Sequence, residues 1–147
     1  MIPQDVWDLW FPIVRQFEGC KLAAYQDANG VWTIGWGHTG ADVAAGLVWT
    51  EDKADNTLQQ DLSVHYAQML ALVPKAGNWP AGRQAAIADF VYNLGSGTFE
   101  HSTLHSAVLS EAWQSVKTQL ALWVHAGGKV ENGLVRRRNL EIALIDT

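Results

Sequence analysis

Residues 17–38 read FEGCKLAAYQDANGVWTIGWGH, and the hydrophobic period changes inside them. Upstream, Val6, Leu9, Trp10, Ile13, Val14 and Phe17 fall near one face of a helix over residues 3–18. Pro12 lies inside that pattern and is expected to kink or split the helix. Gly19 is placed to end it. Lys21 to Gln26 then reads as a strand, and Asn29-Gly30 is a two-residue turn signal. From Val31 to Trp36 the period is two: Trp32, Ile34 and Trp36 face one way, and Val31, Thr33 and Gly35 the other. A hairpin of this size is not stable alone, so it must lean on other elements.

Working outward, residues 37–49 are rich in Gly and Ala and read as a loop. Thr50 is an N-cap candidate, with Glu51 and Asp52 favourable in the first turn that follows. Ala54, Leu58, Leu62, His65, Met69 and Val73 trace a helical stripe that Pro74 stops. A helix over 51–73 is long for this chain and can bridge two lobes. Residues 75–82 read as a turn-rich joint and 83–94 as a helix, with Ile87, Phe90, Val91 and Leu94 on one face and Gly95 at its end. Weaker helical patterns follow at 102–109, 111–124 and 134–145, and Gly127-Gly128 marks a turn before the last. The expectation is an α+β fold in two lobes, a small β-hairpin lobe and a mainly helical one.

Composition narrows the function classes. The chain has 147 residues, 48% apolar and 17% charged, which fits a folded domain with its own core and not a disordered one. No apolar run approaches the roughly 18 residues a membrane span needs, so stable membrane insertion is not expected. The N-terminus has no basic region and carries Asp5 and Asp8, so a signal peptide is not expected either. One cysteine, Cys20, excludes an internal disulfide and reads as a small half-buried hydrophobe. The net charge of −5 divides into −6 over residues 1–74 (nine acids, three bases) and +1 over 75–147 (six acids, seven bases). Without a broad basic face, nucleic acid is a poor candidate partner. Eight tryptophans are many for this length, and flat aromatic rings suit sugars as well as cores. His65, His101, His105 and His125 lack ligand-like spacing with Cys or acids, so no metal and no cofactor are expected.

Glu18 sits at a helix C-terminus, where the negative end of the dipole disfavours a carboxylate. Phe17 and nearby Trp residues can desolvate it, and both effects favour the protonated carboxyl a general acid must offer. Asp27, at the strand end beside the turn, is expected to be wetter and ionised. Two carboxyls in unlike environments are what glycoside hydrolysis uses. Thr33 projects opposite the large apolar face and can hold a water. A Glu and an Asp at this spacing are by themselves a common surface arrangement.

Glu18, eight residues, Asp27, five residues, Thr33 resembles the pattern of the phage-type lysozymes, glycoside hydrolase family 24. Tyr25, the Gly30 turn, Thr33-Ile34-Gly35 with Gly37-His38, Thr50 to Leu62, Ala85 to Gly95, Trp123 and Gly133 to Arg138 match as well, so the resemblance covers most of the chain. It implies a single lysozyme-like domain over 1–147: a β lobe at about 19–50, a connecting helix at 51–73, and a helical lobe of 1–18 with 75–147, with the cleft between the lobes. It implies that Glu18 protonates the leaving glycosidic oxygen. Asp27 stabilises charge at the anomeric carbon or activates water, and Thr33 positions that water. The implied bond is the β-1,4 link between N-acetylmuramic acid and N-acetylglucosamine, cut mostly with inversion in this family.

The resemblance also implies a structural ion pair between His38 and Asp61 that orders the hinge, against the alternative of His38 as a second acid or base. Asn93 is a candidate donor to an acetamido or peptide group, while Asp89, four residues earlier, can simply be solvated. Tyr25, Phe99, Ser102 and Thr103 are further candidate substrate contacts, although the segment after Gly95 can equally be a flexible loop. One of Arg136, Arg137 and Arg138, with Arg137 preferred as a structural group, is expected to bond near Glu18 and orient it; the alternative is a helix that packs one Arg stem and exposes two, and successive residues are turned by about 100°, so which one faces inward stays open. Trp123 reads as core rather than sugar platform. The expected partner is peptidoglycan, the expected state a monomer. The expected role is that of an endolysin made in the host cytoplasm and released to the cell wall through a holin lesion. A lytic transglycosylase would use a single acid and leave anhydro ends, and an inactive glycan-binding relative would not keep all three residues; Asp27 and Thr33 argue against both.

Overall fold

The computed structural model describes residues 1–147. It contains seven α-helices, a short 3₁₀ segment at Pro74–Asn78 and two small antiparallel sheets. The helices are α1 (Gln4–Glu18), α2 (Glu51–Leu72), α3 (Ala81–Leu94), α4 (Ser96–Glu100), α5 (Thr103–Leu109), α6 (Trp113–Leu120) and α7 (Asn132–Ile145). The strands are β1 (Lys21–Gln26), β2 (Trp32–Gly35), β3 (His38–Thr39), β4 (His125–Ala126) and β5 (Lys129–Val130). The fold is mixed α+β. No helix is long and apolar enough to cross a membrane.

The chain divides into two compact units, Val14–Val64 and Met1–Ile13 with His65–Thr147. The division runs through α1 and through α2, so each of those helices supplies residues to both. Pro12 does not split α1, the second of the two outcomes expected of it. It lies on the exposed face, where water can serve the Asp8 carbonyl that loses its helical donor. Val6, Trp10, Ile13 and Val14 are the buried stripe of that helix.

In the Val14–Val64 unit, β1, β2 and β3 form a three-stranded sheet in that order. β3 falls in the segment read as a loop. An isolated bridge joins Ala23 to Val48, and Trp49 donates to the Leu22 carbonyl at 2.8 Å, so the segment 37–49 folds back onto the hairpin it was expected only to follow. Thr50 caps α2, accepting from the Lys53 amide at 3.1 Å. Ile34, Ala54, Leu58 and Leu62 are buried here.

In the other unit, α3 packs on α7 and α5 on α6. Trp10, Tyr66, Met69, Val73, Ile87, Phe90, Val91, Phe99, Leu104, Val116, Leu120 and Ile145 form its buried apolar set. On α2 the buried residue is Tyr66, and His65 is only half-buried. Two expectations change. The segment after Gly95 is a short helix, α4, anchored by buried Phe99. The pattern at 111–124 is helical only over α6, and a β-hairpin follows. Its turn is Gly127-Gly128, with φ of 58° and 79°, the paired left-handed conformation of a type I′ turn. Glu131 then caps α7 by accepting from the Gly133 and Leu134 amides.

Candidate active site

Glu18 is the last residue of α1 and its side chain is half-buried. Two residues separate it from β1, whose register places Tyr25 opposite Thr33 and Gln26 opposite Trp32. Directly opposed residues share a face of the sheet, so Tyr25 and Thr33 are side-by-side neighbours.

Asp27 opens the loop that returns the chain to β2, and it holds the loop together. Its Oδ1 accepts from the Asn29 amide at 2.8 Å and from the Val31 amide at 2.9 Å. Its amide donates to Val31 O, and its carbonyl accepts from Gly30 N, each at 2.9 Å. The loop is therefore not the two-residue turn that Asn29-Gly30 signals. It is a turn across Asp27–Gly30 closed by Gly30 at φ 77°, a left-handed position that glycine takes without strain. The Asp27 side chain replaces the strand carbonyl that a tighter hairpin would use, which is why one residue more is accommodated. Both amides fall on Oδ1, so Oδ2 has no protein donor. Thr33 is 4% exposed, and its hydroxyl donates to Val31 O at 2.9 Å. A hydroxyl whose proton is so committed offers only lone pairs.

His38 bonds Asp61 through Nδ1 at 2.7 Å, and its Nε2 approaches both Asp42 oxygens at 3.1 and 3.2 Å. Partial burial alone would lower the ring's pKa. Asp61 and then Asp42 outweigh that by hydrogen bonding and charge, and hold it above 6.5. The same bond pulls Asp42 below the usual carboxylate range. Asp42, four residues from His38, is a partner the sequence reading did not find. Nearby, Trp36 donates from its indole to Asp55 at 2.8 Å, with the Arg15 guanidinium 5.9 Å from its ring. Cys20 is exposed, not half-buried. Partial desolvation, Asp55 and Glu51 push its thiol up, which disfavours the thiolate a nucleophile needs.

In the helical unit, Asp89 is not solvated: it is fully buried. Arg137 binds it twice, from Nε at 2.8 Å and from Nη2 at 2.9 Å, and Trp10 adds its indole N–H at 3.1 Å. Burial would raise the Asp89 carboxyl; Arg137, with a hydrogen bond from Glu141, holds it low instead. Glu141 is pushed far up, by burial first and by Asp89 next. Arg137 packs inward, but so does Arg138, and only Arg136 of the three is exposed. Arg138 Nη2 bridges Asn93 Oδ1 at 2.8 Å and Glu141 Oε2 at 2.9 Å. Its Nε is 2.7 Å from Glu141 Oε1, close enough for charge pairing although not aligned as a hydrogen bond. An acid three residues after Arg138 was the available signal for this pair.

The remaining candidates separate. Asn93 is half-buried. Phe99 is 0% exposed and lies edge-on to Phe90, so it is core and not a sugar contact. Ser102 caps α5, accepting from His105 N at 3.1 Å while donating to Phe99 O at 2.6 Å, which commits its hydroxyl to structure. Thr103 is exposed and lines a pocket of about 390 Å³ with Leu94, Gln119, Leu122, Trp123, His125 and Leu134. Trp123 thus has two roles: it packs edge-on against Phe90 and shows its other side to that pocket.

The profile of the phage lysozyme family matches residues 15–141. Among similar proteins is a SAR-endolysin of Bacteriophage PS34, 36% identical over 124 residues, 84% of this chain and 73% of that one. An endolysin of Lactococcus phage c2 is 32% identical over 141 residues, 91% of this chain and 57% of the relative. Among solved structures, the muramidase domain of SpmX from Asticaccaulis excentricus superposes with a TM-score of 0.81 at 26% identity, covering 99% of this chain and 97% of that one. The chain belongs to the phage lysozyme family of peptidoglycan-cleaving glycoside hydrolases.

Proposed function

We propose that Glu18 and Asp27 are the general acid and general base of an inverting muramidase that cuts the β-1,4 bond between N-acetylmuramic acid and N-acetylglucosamine. The single observation carrying the assignment is the division of labour on Asp27: Oδ1 holds the loop and Oδ2 is left for chemistry. Glu18 gives its proton to the glycosidic oxygen as the bond to the anomeric carbon breaks. Positive charge builds on that carbon, and a water adds from the opposite face. One water proton passes to Asp27 Oδ2. The other is accepted by a lone pair of Thr33 Oγ1, which aims the water oxygen at the carbon. Enclosure of Thr33 keeps this water apart from bulk solvent. Tyr25, Asn93 and Thr103 contact the glycan or its peptide, and the His38–Asp61 pair stiffens the frame. The enzyme acts as a monomer without cofactor on the cell wall, after synthesis in the host cytoplasm and release through a holin lesion.

The test compares wild type and Glu18→Gln on purified peptidoglycan, with fragments read by mass spectrometry and the first-formed anomer by NMR. Wild type should release reducing muropeptides of inverted configuration. Glu18→Gln should fold normally and lose between about 10²- and 10⁴-fold in kcat. Anhydro ends would replace the hydrolase with a transglycosylase. Binding to the wall without fragments from either protein would leave only a glycan-binding role.

A further inference from the structure

The chain holds two Asn-Gly pairs, Asn29-Gly30 and Asn132-Gly133. An asparagine followed by glycine is open to attack by its own backbone, because no side chain shields the glycine nitrogen. Base removes the proton from that amide, and the nitrogen's electron pair bonds to the asparagine Cγ. The Cγ–Nδ2 bond breaks, ammonia leaves with a proton taken back from water, and a cyclic imide remains. Water then opens the imide at either carbonyl. One opening gives aspartate; the other gives isoaspartate, whose main chain runs through the former side-chain carbonyl and is longer by a carbon. The two pairs differ in what holds the glycine nitrogen. Gly133 N–H donates to the Glu131 carboxylate at 2.8 Å in the first turn of α7, and a negative neighbour disfavours losing that proton. A Cβ on Gly133 would lie 2.9 Å from the same oxygen, so the space is also tight. Gly30 N–H donates only to a neutral group, the Asp27 carbonyl, at 2.9 Å. A Cβ on Gly30 would meet nothing within 4 Å. Asn29 is exposed, and its bond to Asp27 uses the backbone amide, so its side-chain amide has no protein partner.

The reaction strikes where Asp27 is held. Asp27 Oδ1 takes the Asn29 and Val31 amides at 2.8 and 2.9 Å, one on each side of the Asn29–Gly30 link. With Gln26 held opposite Trp32, a chain lengthened at that link no longer brings both amides to one oxygen. We propose that Asn29-Gly30 is a self-modification site, at which closing and opening of the imide unseats the Asp27 side chain, so that the folded enzyme loses activity with age. The aspartate product keeps the backbone but sets a like charge two residues from Asp27. The inference rests on the muramidase reading and on Asp27 as its base.

The test ages the protein in mildly alkaline buffer and samples it for peptide mapping by mass spectrometry, isoaspartate content and reducing-end release from peptidoglycan. Wild type should show the mass change of amide to carboxyl at Asn29 before any at Asn132, with isoaspartate the major product. Its activity should fall in proportion to the converted fraction. The isoaspartate form, separated by its added negative charge, should be lower in kcat by about 10²-fold with KM little changed, as for loss of a general base. A mildly acidic buffer should slow both the mass change and the loss. Asn29→Gln can close only a larger imide, which forms slowly, and Asn29 is not in the left-handed region, so Gln enters without strain. Scored against its own fresh sample, Asn29→Gln should hold its activity, and Asn132→Gln should age as wild type does. No conversion at Asn29, conversion at Asn132 first, or an isoaspartate form with undiminished kcat overturns the proposal. Equal decay of wild type and Asn29→Gln overturns it as well. Fresh wild type that releases no reducing ends would remove the muramidase reading and with it the silencing of Asp27, whatever the mass at Asn29.

Discussion

Asp27 and Asp89 are the same side chain put to opposite uses. Asp27 is half-buried and held by two backbone amides that share one oxygen, leaving the second uncommitted. Asp89 is fully buried, and three donors from Trp10 and Arg137 occupy both of its oxygens. Backbone anchoring costs no buried charge and keeps a lone pair available, so it suits a reacting group. Charge pairing in the core consumes every lone pair it can and leaves nothing for a substrate; it suits a framework. A carboxylate's chemistry is set by how many of its lone pairs the fold leaves over.

The largest test of the framework half is Glu141→Ala. It leaves the buried Arg138 guanidinium without the carboxyl that accepts from it, and an unmade buried hydrogen bond to a charged group is expected to cost about 3 kcal/mol in denaturant unfolding. Glu141→Gln sharpens the point. Because Glu141 is held toward its protonated form, Gln replaces it with a carbonyl for Arg138 and an N–H for Asp89. It should stay within about 1 kcal/mol of wild type. Equal losses in the two variants would mean that Glu141 works as a charge and that the contrast with Asp27 is drawn wrongly.

On the other side, Asp27→Asn should separate anchoring from chemistry. Asn keeps an oxygen for the Asn29 and Val31 amides, so the loop and thermal stability should hold to within about 1 kcal/mol. It loses the base, and kcat should fall by about 10²-fold or more with KM little changed. A folded variant with undiminished kcat would leave Asp27 as a loop anchor only.

The proposed catalytic triplet is legible as a motif because its members lie close in sequence. Glu18, Asp27 and Thr33 share one helix end and one hairpin, and period and turn signals locate them without knowledge of distant contacts. Thr50 as a cap and the α2 stripe were legible for the same reason. What escaped depended on pairing across distance or on short elements. β3 has two residues, too few to show a period, and exists because Ile34 and Thr33 offer it an edge. Asp89 looked solvated because its partners Trp10 and Arg137 lie 79 and 48 residues away. Phe99 and Ser102 read as a cleft wall because a five-residue helix with one glycine before it and another inside it reads as a loop. Pro12 does not divide α1, since on the wet face of a helix water can replace the bond that a proline removes.

The smallest expected effect belongs to His38, which stands between the two modes: a part-buried ring held by two carboxylates. Its folded pKa is raised above the ordinary 6.5. The stability it gains is then fully present below pH 6.5 and is lost as pH rises through the raised value. Neutral His38 can still donate Nδ1–H to Asp61, but its Nε2 lone pair then faces the Asp42 carboxylate, so the Asp42 half of the contact is lost first. Asp61 is about a third exposed, which screens the pair and limits its worth to about 1 kcal/mol. Wild type should therefore exceed Asp61→Asn by about that much at pH 5–6 in denaturant unfolding, and the gap should narrow by pH 9. A gap that stays constant across this range would show that the neutral hydrogen bond, and not the charge on His38, holds β3 to α2.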